Sequence, residues 1–168
     1  MNPITRYPDV TWAAIAAELE REIHFRERTY DREITKGRMD PEAAKYQLAI
    51  ARAWREDCHR FEQAHAPIAK GLPMQNPLQI PAVHGLDWQA RRAGVQRELT
   101  YRARLYPVWI DKGNLTTADA ARRTRALEAM LALYDEGLDF PGTAEDFAPY
   151  VADQILALQG DQQKELAL

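Results

Sequence analysis

The sequence predicts an all-α fold: two duplicated helical hairpins forming an elongated, pseudo-symmetric four-helix bundle, plus a short C-terminal helix. Three observations carry this. Apolar residues recur near a 3.6-residue period, strand-type alternation appears nowhere, and the chain aligns with itself at an offset of 76 residues. Within positions 11–56 that ungapped alignment gives 13 identities, among them Trp12/Trp88, Tyr30/Tyr106, Ile34/Ile110, Lys36/Lys112 and Gly37/Gly113. Chance supplies alanine and arginine matches, but it rarely aligns scarce residue types in one register.

The first hairpin spans 1–66. Thr11 suits an N-cap, and Trp12, Ile15, Leu19, Ile23, Tyr30 and Ile34 follow at helical spacing. Gly37 stands where a glycine ends a helix whose last residue is lysine. Asp40 followed by Pro41 reads as a cap with proline at the first helical position of a second helix. The stretch 67–86 is a connector, because Pro67, Pro73, Pro77 and Pro81 forbid a continuous helix. It is expected to be extended and to pack through Leu72, Met74, Leu78, Ile80 and Val83.

The second hairpin spans 87–137. Asp87 and Thr116 take the two capping positions, with Asp119 three residues after Thr116 in a capping-box pattern. Pro107 lacks an amide donor and disfavours helix at Tyr106, so a kink is expected there. Residues 138–168 are read as an acidic helix and tail, starting from a Thr143 cap and fraying at the end. The four segments make one compact domain overall.

Composition narrows the function classes. The chain has 168 residues, 46% of them hydrophobic and 28% charged, near the globular average. No apolar run is long enough for a membrane span, and the amino terminus does not read as a secretory signal. One cysteine, Cys58, permits no internal disulfide and fits a reducing, cytoplasmic setting. The chain contains no serine, which excludes a Ser-His-Asp hydrolase. No glycine-rich phosphate loop is present. Glu56-x-x-His59 and Glu62-x-x-His65 have the spacing of a di-iron element, but both lie on one helix and neither recurs in the second hairpin. No metal or cofactor is therefore expected. His24 and His84 stand alone, and His24 reads as packing beside Phe25.

Charge is segregated. Residues 1–88 carry 12 basic and 13 acidic side chains, residues 89–125 carry 9 and 3, and residues 126–168 carry 1 and 9. The basic stretch, interleaved with Trp88, Tyr101, Tyr106 and Trp109, suits binding by charge and stacking. Its candidate contact residues are Arg91, Arg92, Arg97, Arg104, Trp109, Arg122, Arg123 and Arg125. The acidic C-terminal part is an alternative, internal partner for it. The row Glu22, Arg26, Tyr30 repeats as Glu98, Arg102, Tyr106. Two readings stay open. Each arginine forms an i, i+4 ion pair with its glutamate, or Arg26, Tyr30, Arg102 and Tyr106 line a groove that grips an anion.

The segments "REIHFRERTYDREITKGRMDPEAA" and "RELTYRARLYPVWIDKGNLTTADAARR" share an Arg-Glu pair, an arginine, a tyrosine, a glycine and a capped alanine-rich helix. This pattern resembles a hairpin segment of small uncharacterised helical proteins of proteobacterial phages and prophages. The second copy matches better through Tyr106-Pro107, and the first departs at Asp31. The resemblance implies a mobile-element origin, in an infected or lysogenic cell, and attaches no catalytic residues.

Three function classes follow. The first is a non-enzymatic accessory protein that binds a host protein or nucleoprotein complex, such as a CRISPR-type defence complex, and inhibits it. The second is a nucleic-acid-binding accessory factor using the basic 89–125 segment. The third is a protein that sequesters a small anionic ligand. No membrane partner is expected, and exposed aromatics such as Trp109 equally suit a homodimer.

Overall fold

Thr11 accepts a hydrogen bond from the Ala14 amide at 3.1 Å and starts α1, Trp12–Thr35. In the computed structural model, residues 6–137, 139–142 and 145–146 are described. Asp40 caps α2 (Pro41–His65) by accepting from the Ala43 amide at 2.9 Å. Thr116 caps α4 (Thr117–Asp135) by accepting from the Asp119 amide at 3.0 Å. Between them runs α3, Trp88–Asp111. Asp87 precedes α3 without a side-chain capping bond, which corrects half of the capping expectation.

α1 and α3 each have 24 residues, and their bounds differ by the same 76 residues as the sequence match. Both end alike. Gly37 and Gly113 take φ of 67° and 74°, a left-handed conformation that costs glycine little. The Arg38 amide reaches the Glu33 carbonyl at 2.9 Å, and the Asn114 amide reaches the Trp109 carbonyl at 2.8 Å. Each is the long bond of a Schellman turn. At about 1.5 Å per residue, these helices are roughly 36 Å long, so the bundle is elongated. α3 continues through Pro107, so the proline does not end it.

The helices close a ring in which α1 packs on α2 and α4, and α3 on α2 and α4. No strand occurs among the described residues. The main core fills the half nearer the N-termini of α1 and α3. Ile15, Leu19, Trp54, Phe61, Trp88, Val95, Leu127, Met130 and Leu133 are all buried there. Each such side chain contributes about 1.5–3 kcal/mol on leaving water. A smaller cluster of Tyr106, Leu115 and Ala120 seals the turn end, with Trp109 and Ile110 against it.

One close approach fixes how α3 meets α2. A Cβ at Gly94 would lie 2.8 Å from Ile50 Cγ2 and 2.9 Å from Trp54 Cζ2, so the Trp54 ring needs that position bare. The Trp54 indole N–H donates to the Arg91 carbonyl at 2.9 Å.

The connector departs from expectation. It holds two 3-10 turns, Ala66–Lys70 and Pro77–Gln79. Leu72, Met74, Leu78 and Val83 are exposed, and Pro77 is buried instead. Polar bonds hold the connector down. Arg60 donates from Nε to the Ile80 carbonyl and from Nη2 to the Pro77 carbonyl, both at 2.9 Å. The expected last helix falls almost wholly outside the described residues.

Candidate functional site

Of the four anion-groove candidates, Arg26 and Arg102 have guanidiniums that are already engaged. Arg26 Nε donates to Glu22 Oε1 at 2.7 Å, and its Nη2 crosses to Glu98 Oε2 at 3.1 Å. Arg102 mirrors this, with Nε on Glu98 Oε1 at 2.9 Å and Nη2 on Glu22 Oε2 at 2.9 Å. The third nitrogens match too. Arg26 Nη1 donates to the Gln47 carbonyl at 2.8 Å, and Arg102 Nη1 to the Arg123 carbonyl at 3.1 Å. Gln47 and Arg123 are again 76 residues apart.

Around these two arginines the match breaks at Glu18. Glu18 approaches Arg102 Nη1 to 2.7 Å, while its counterpart by sequence is the bare Gly94. Arg26 instead lies 4.9 Å from the centre of the Trp54 ring. Burial would lower the pKa of Arg102, but Glu18, Glu22 and Glu98 outweigh it and hold the guanidinium above its ordinary value. Burial raises the Glu98 carboxyl, as does the charge of Glu22, whereas Arg26 and Arg102 hold Glu22 low against its own burial. Tyr106 is buried beside Arg102, and Tyr30 is half-buried. Of the two readings, the ion-pair one describes Arg26 and Arg102 here. Both guanidiniums are engaged by the protein's own glutamates, while Arg102 and Tyr106 also border a cleft between α3 and α4.

A second buried network centres on Asp57 at the other end. Its Oδ1 accepts from Arg60 Nη1 and His84 Nε2, both at 2.8 Å. Its Oδ2 accepts from Arg91 Nη1 at 2.5 Å and from the Tyr134 hydroxyl at 2.6 Å. Asp139 bridges the same two arginines, at 2.8 Å from Arg60 Nη2 and 2.6 Å from Arg91 Nη1. Burial would raise the Asp57 carboxyl, but the hydrogen bond from His84, the charge of Arg91 and the remaining donors hold it below the usual range. His84 is therefore tied to a carboxylate, where the sequence suggested an isolated side chain. Glu56 accepts from the backbone amides of Val83 and His84, which fixes the imidazole's approach. No group of three or more His, Cys, Asp or Glu able to hold a metal occurs among the described residues.

The basic segment divides accordingly. Arg91 and Arg92 are buried, Arg91 in the Asp57 network and Arg92 on Asp135 at 2.6 Å, which corrects their assignment to a contact surface. Arg122 and Arg125 stay at the surface but pair with Asp119 at 2.7 Å and Asp9 at 2.5 Å. Arg123 is half-buried, and so is Trp109, whose ring packs against Phe25 at 6.1 Å and Tyr106 at 5.6 Å. Arg97 and Arg104 are left exposed, without an ion-pair partner among the described residues. With Tyr101 and Val108 they form one stripe of α3, spaced as successive turns of a helix. Tyr101 and Val108 are 42% and 44% exposed, and the Arg104 guanidinium lies 5.7 Å from the Tyr101 ring centre.

The sequence reading missed a cleft of about 540 Å³ between α3 and α4. Its walls include Gln96, Ala103, Pro107, Glu128 and Leu131, and Arg102 and Tyr106 reach its floor. Burial raises the Glu128 carboxyl despite the charge of Arg125. The signal for this cleft was present at matched positions of the two hairpins, where one has ion pairs and the other does not. No helix among the described residues is long and apolar enough to cross a membrane. The chain matches no protein-family model, no curated protein and no solved structure.

Proposed function

We propose that this chain is a non-enzymatic accessory protein of phage or prophage type that binds a host protein or nucleoprotein complex in the cytoplasm. Occupying that surface would inhibit the complex, with a host defence assembly as the target class. The observation that carries the reading is the division of its arginines. Those inside are consumed by glutamates and aspartates, and Arg97 and Arg104, without an ion pair among the described residues, stand exposed beside Tyr101 on the outer face of α3. Exposed arginine and tyrosine side by side are the residue types enriched at binding hot spots. A partner with an acidic or phosphate-bearing face complements them.

Arg104 over the Tyr101 ring favours a second reading, direct binding of single-stranded nucleic acid, since a cation and an aromatic face together suit a phosphate and its base. The test is capture from host lysate before and after nuclease treatment, with a gel shift at two salt concentrations. A nuclease-resistant partner supports the first reading. A complex lost to nuclease and weakened steeply by salt supports the second. No retained partner and no shifted band contradict both.

A further inference from the structure

A cleft opens between α3 and α4, and at four positions on its walls the matched residues of the first hairpin form ion pairs. In the first hairpin, Arg52 Nη2 donates to Glu27 Oε1 at 2.9 Å, and Arg55 Nε donates to Glu20 Oε1 at 2.8 Å. These two ion pairs zip α1 to α2 along their outer seam. Seventy-six residues on, the same positions hold Ala103 with Glu128 and Gln96 with Leu131. Neither combination can form an ion pair. All four residues line the cleft.

The result is a mostly apolar space with two charges on its walls that have no ion pair among the described residues. They are the exposed Arg6 and the half-buried Glu128, and Arg6 is not among the charges felt at Glu128. Among the described residues Glu128 has no hydrogen bond or ion pair, although it is half-buried. Of the other charges on the walls, Arg102 is saturated by three glutamates. Arg6 stands where its charge is felt by Tyr7 and Glu136. The Thr100 hydroxyl is turned to the Gln96 carbonyl at 3.1 Å. Pro107, on the same wall, offers no N–H to the carbonyl of Ala103, one turn before it. Glu128 is thus a half-buried carboxylate on mostly apolar walls, without an ion pair among the described residues.

A volume of about 540 Å³ falls within the range of small-molecule pockets, which pair mostly apolar walls with a few polar groups. We infer that the α3–α4 cleft binds a small apolar cation, an aromatic or aliphatic body carrying a protonated amine that pairs with Glu128. Such a ligand gives the Glu128 carboxylate the partner that Arg52 gives Glu27 in the first hairpin. This site is separate from the outer stripe of Arg97 and Arg104, so it stands independently of the macromolecular reading.

Three probes with one apolar body separate the contributions: tryptamine, its neutral alcohol tryptophol, and indolepropionate. Calorimetry on the full chain is expected to show tryptamine binding about tenfold or more tighter than tryptophol, the worth of one hydrogen bond to a charged group. Indolepropionate is expected to give no heat. Glu128→Gln should bring tryptamine down to the tryptophol level. Ala103→Leu, which fills the cleft from an exposed helix position, should weaken both, with the melting temperature of each variant confirming its fold. Equal binding of the acid and the amine overturns the inference. So does unchanged binding in folded Ala103→Leu, or the absence of heat from all three probes.

Discussion

Arg102 donates to Glu22 at 2.9 Å across 80 residues of chain, and the matched Arg26 returns the contact to Glu98 at 3.1 Å. Each guanidinium thus ties its own helix to the diagonal one, which apolar packing alone brings less close. Each planar guanidinium bridges different carboxylates through N–H groups held in fixed directions, which lysine does not reproduce. Removing one guanidinium strands glutamates in the core. Arg102→Met is therefore expected to cost about 3–5 kcal/mol, read from the urea midpoint. Arg102→Lys should recover only part of that loss.

Asp57 should make the protein sensitive to acid. Folded, it holds its proton more weakly than when unfolded, because four donors converge on it. The unfolded chain therefore takes up more protons as pH falls, and stability declines through the ordinary carboxylate range and below it. Asp57→Asn removes the charge that Arg60, Arg91 and His84 face. Thermal melts from neutral pH downward should show lower stability throughout and a flatter decline than the parent. A parallel decline in both proteins would contradict Asp57's part in it.

Gly94→Ala opposes two effects. Alanine favours helix by about 1 kcal/mol, but its Cβ would press on the Ile50 methyl and the buried Trp54 ring. Overpacking of this kind costs about 1–3 kcal/mol. A net loss of stability is expected, and Trp54→Leu in the same chain should reduce the penalty. A stabilised single variant would show that the ring yields freely.

Cys58 is buried, and burial pushes its thiol up to about 12. Thiolate is the reactive form. Labelling by a thiol reagent should therefore be slow in the native protein and should accelerate in proportion to unfolding by denaturant. Rapid labelling without denaturant would contradict the packing of α2.

Much of the fold was legible because local chemistry sets it. Thr11, Asp40 and Thr116 mark helix starts by their own side chains, and Gly37 and Gly113 mark ends by their backbone freedom. Arg91 and Arg92 were misread because their partners are remote. Asp57, Asp135 and Asp139 reach them from 34 to 48 residues away, and local charge density carries no trace of that. The connector was misread for a related reason. Its Leu and Met residues look like anchors, but Arg60 holds its backbone carbonyls instead. The cleft was legible in principle: Glu27 with Arg52 against Ala103 with Glu128 is a contrast written in the self-alignment.

The division of labour between buried and exposed arginines is tested most directly by the double variant Arg97→Ala/Arg104→Ala. Both side chains are exposed and without ion-pair partners among the described residues, so the urea midpoint should stay within about 0.5 kcal/mol of the parent. Retention of the host partner should fall about tenfold or more, as expected when two hot-spot cations are lost together. Undiminished retention by this folded variant would contradict the assignment of the α3 face as the contact surface.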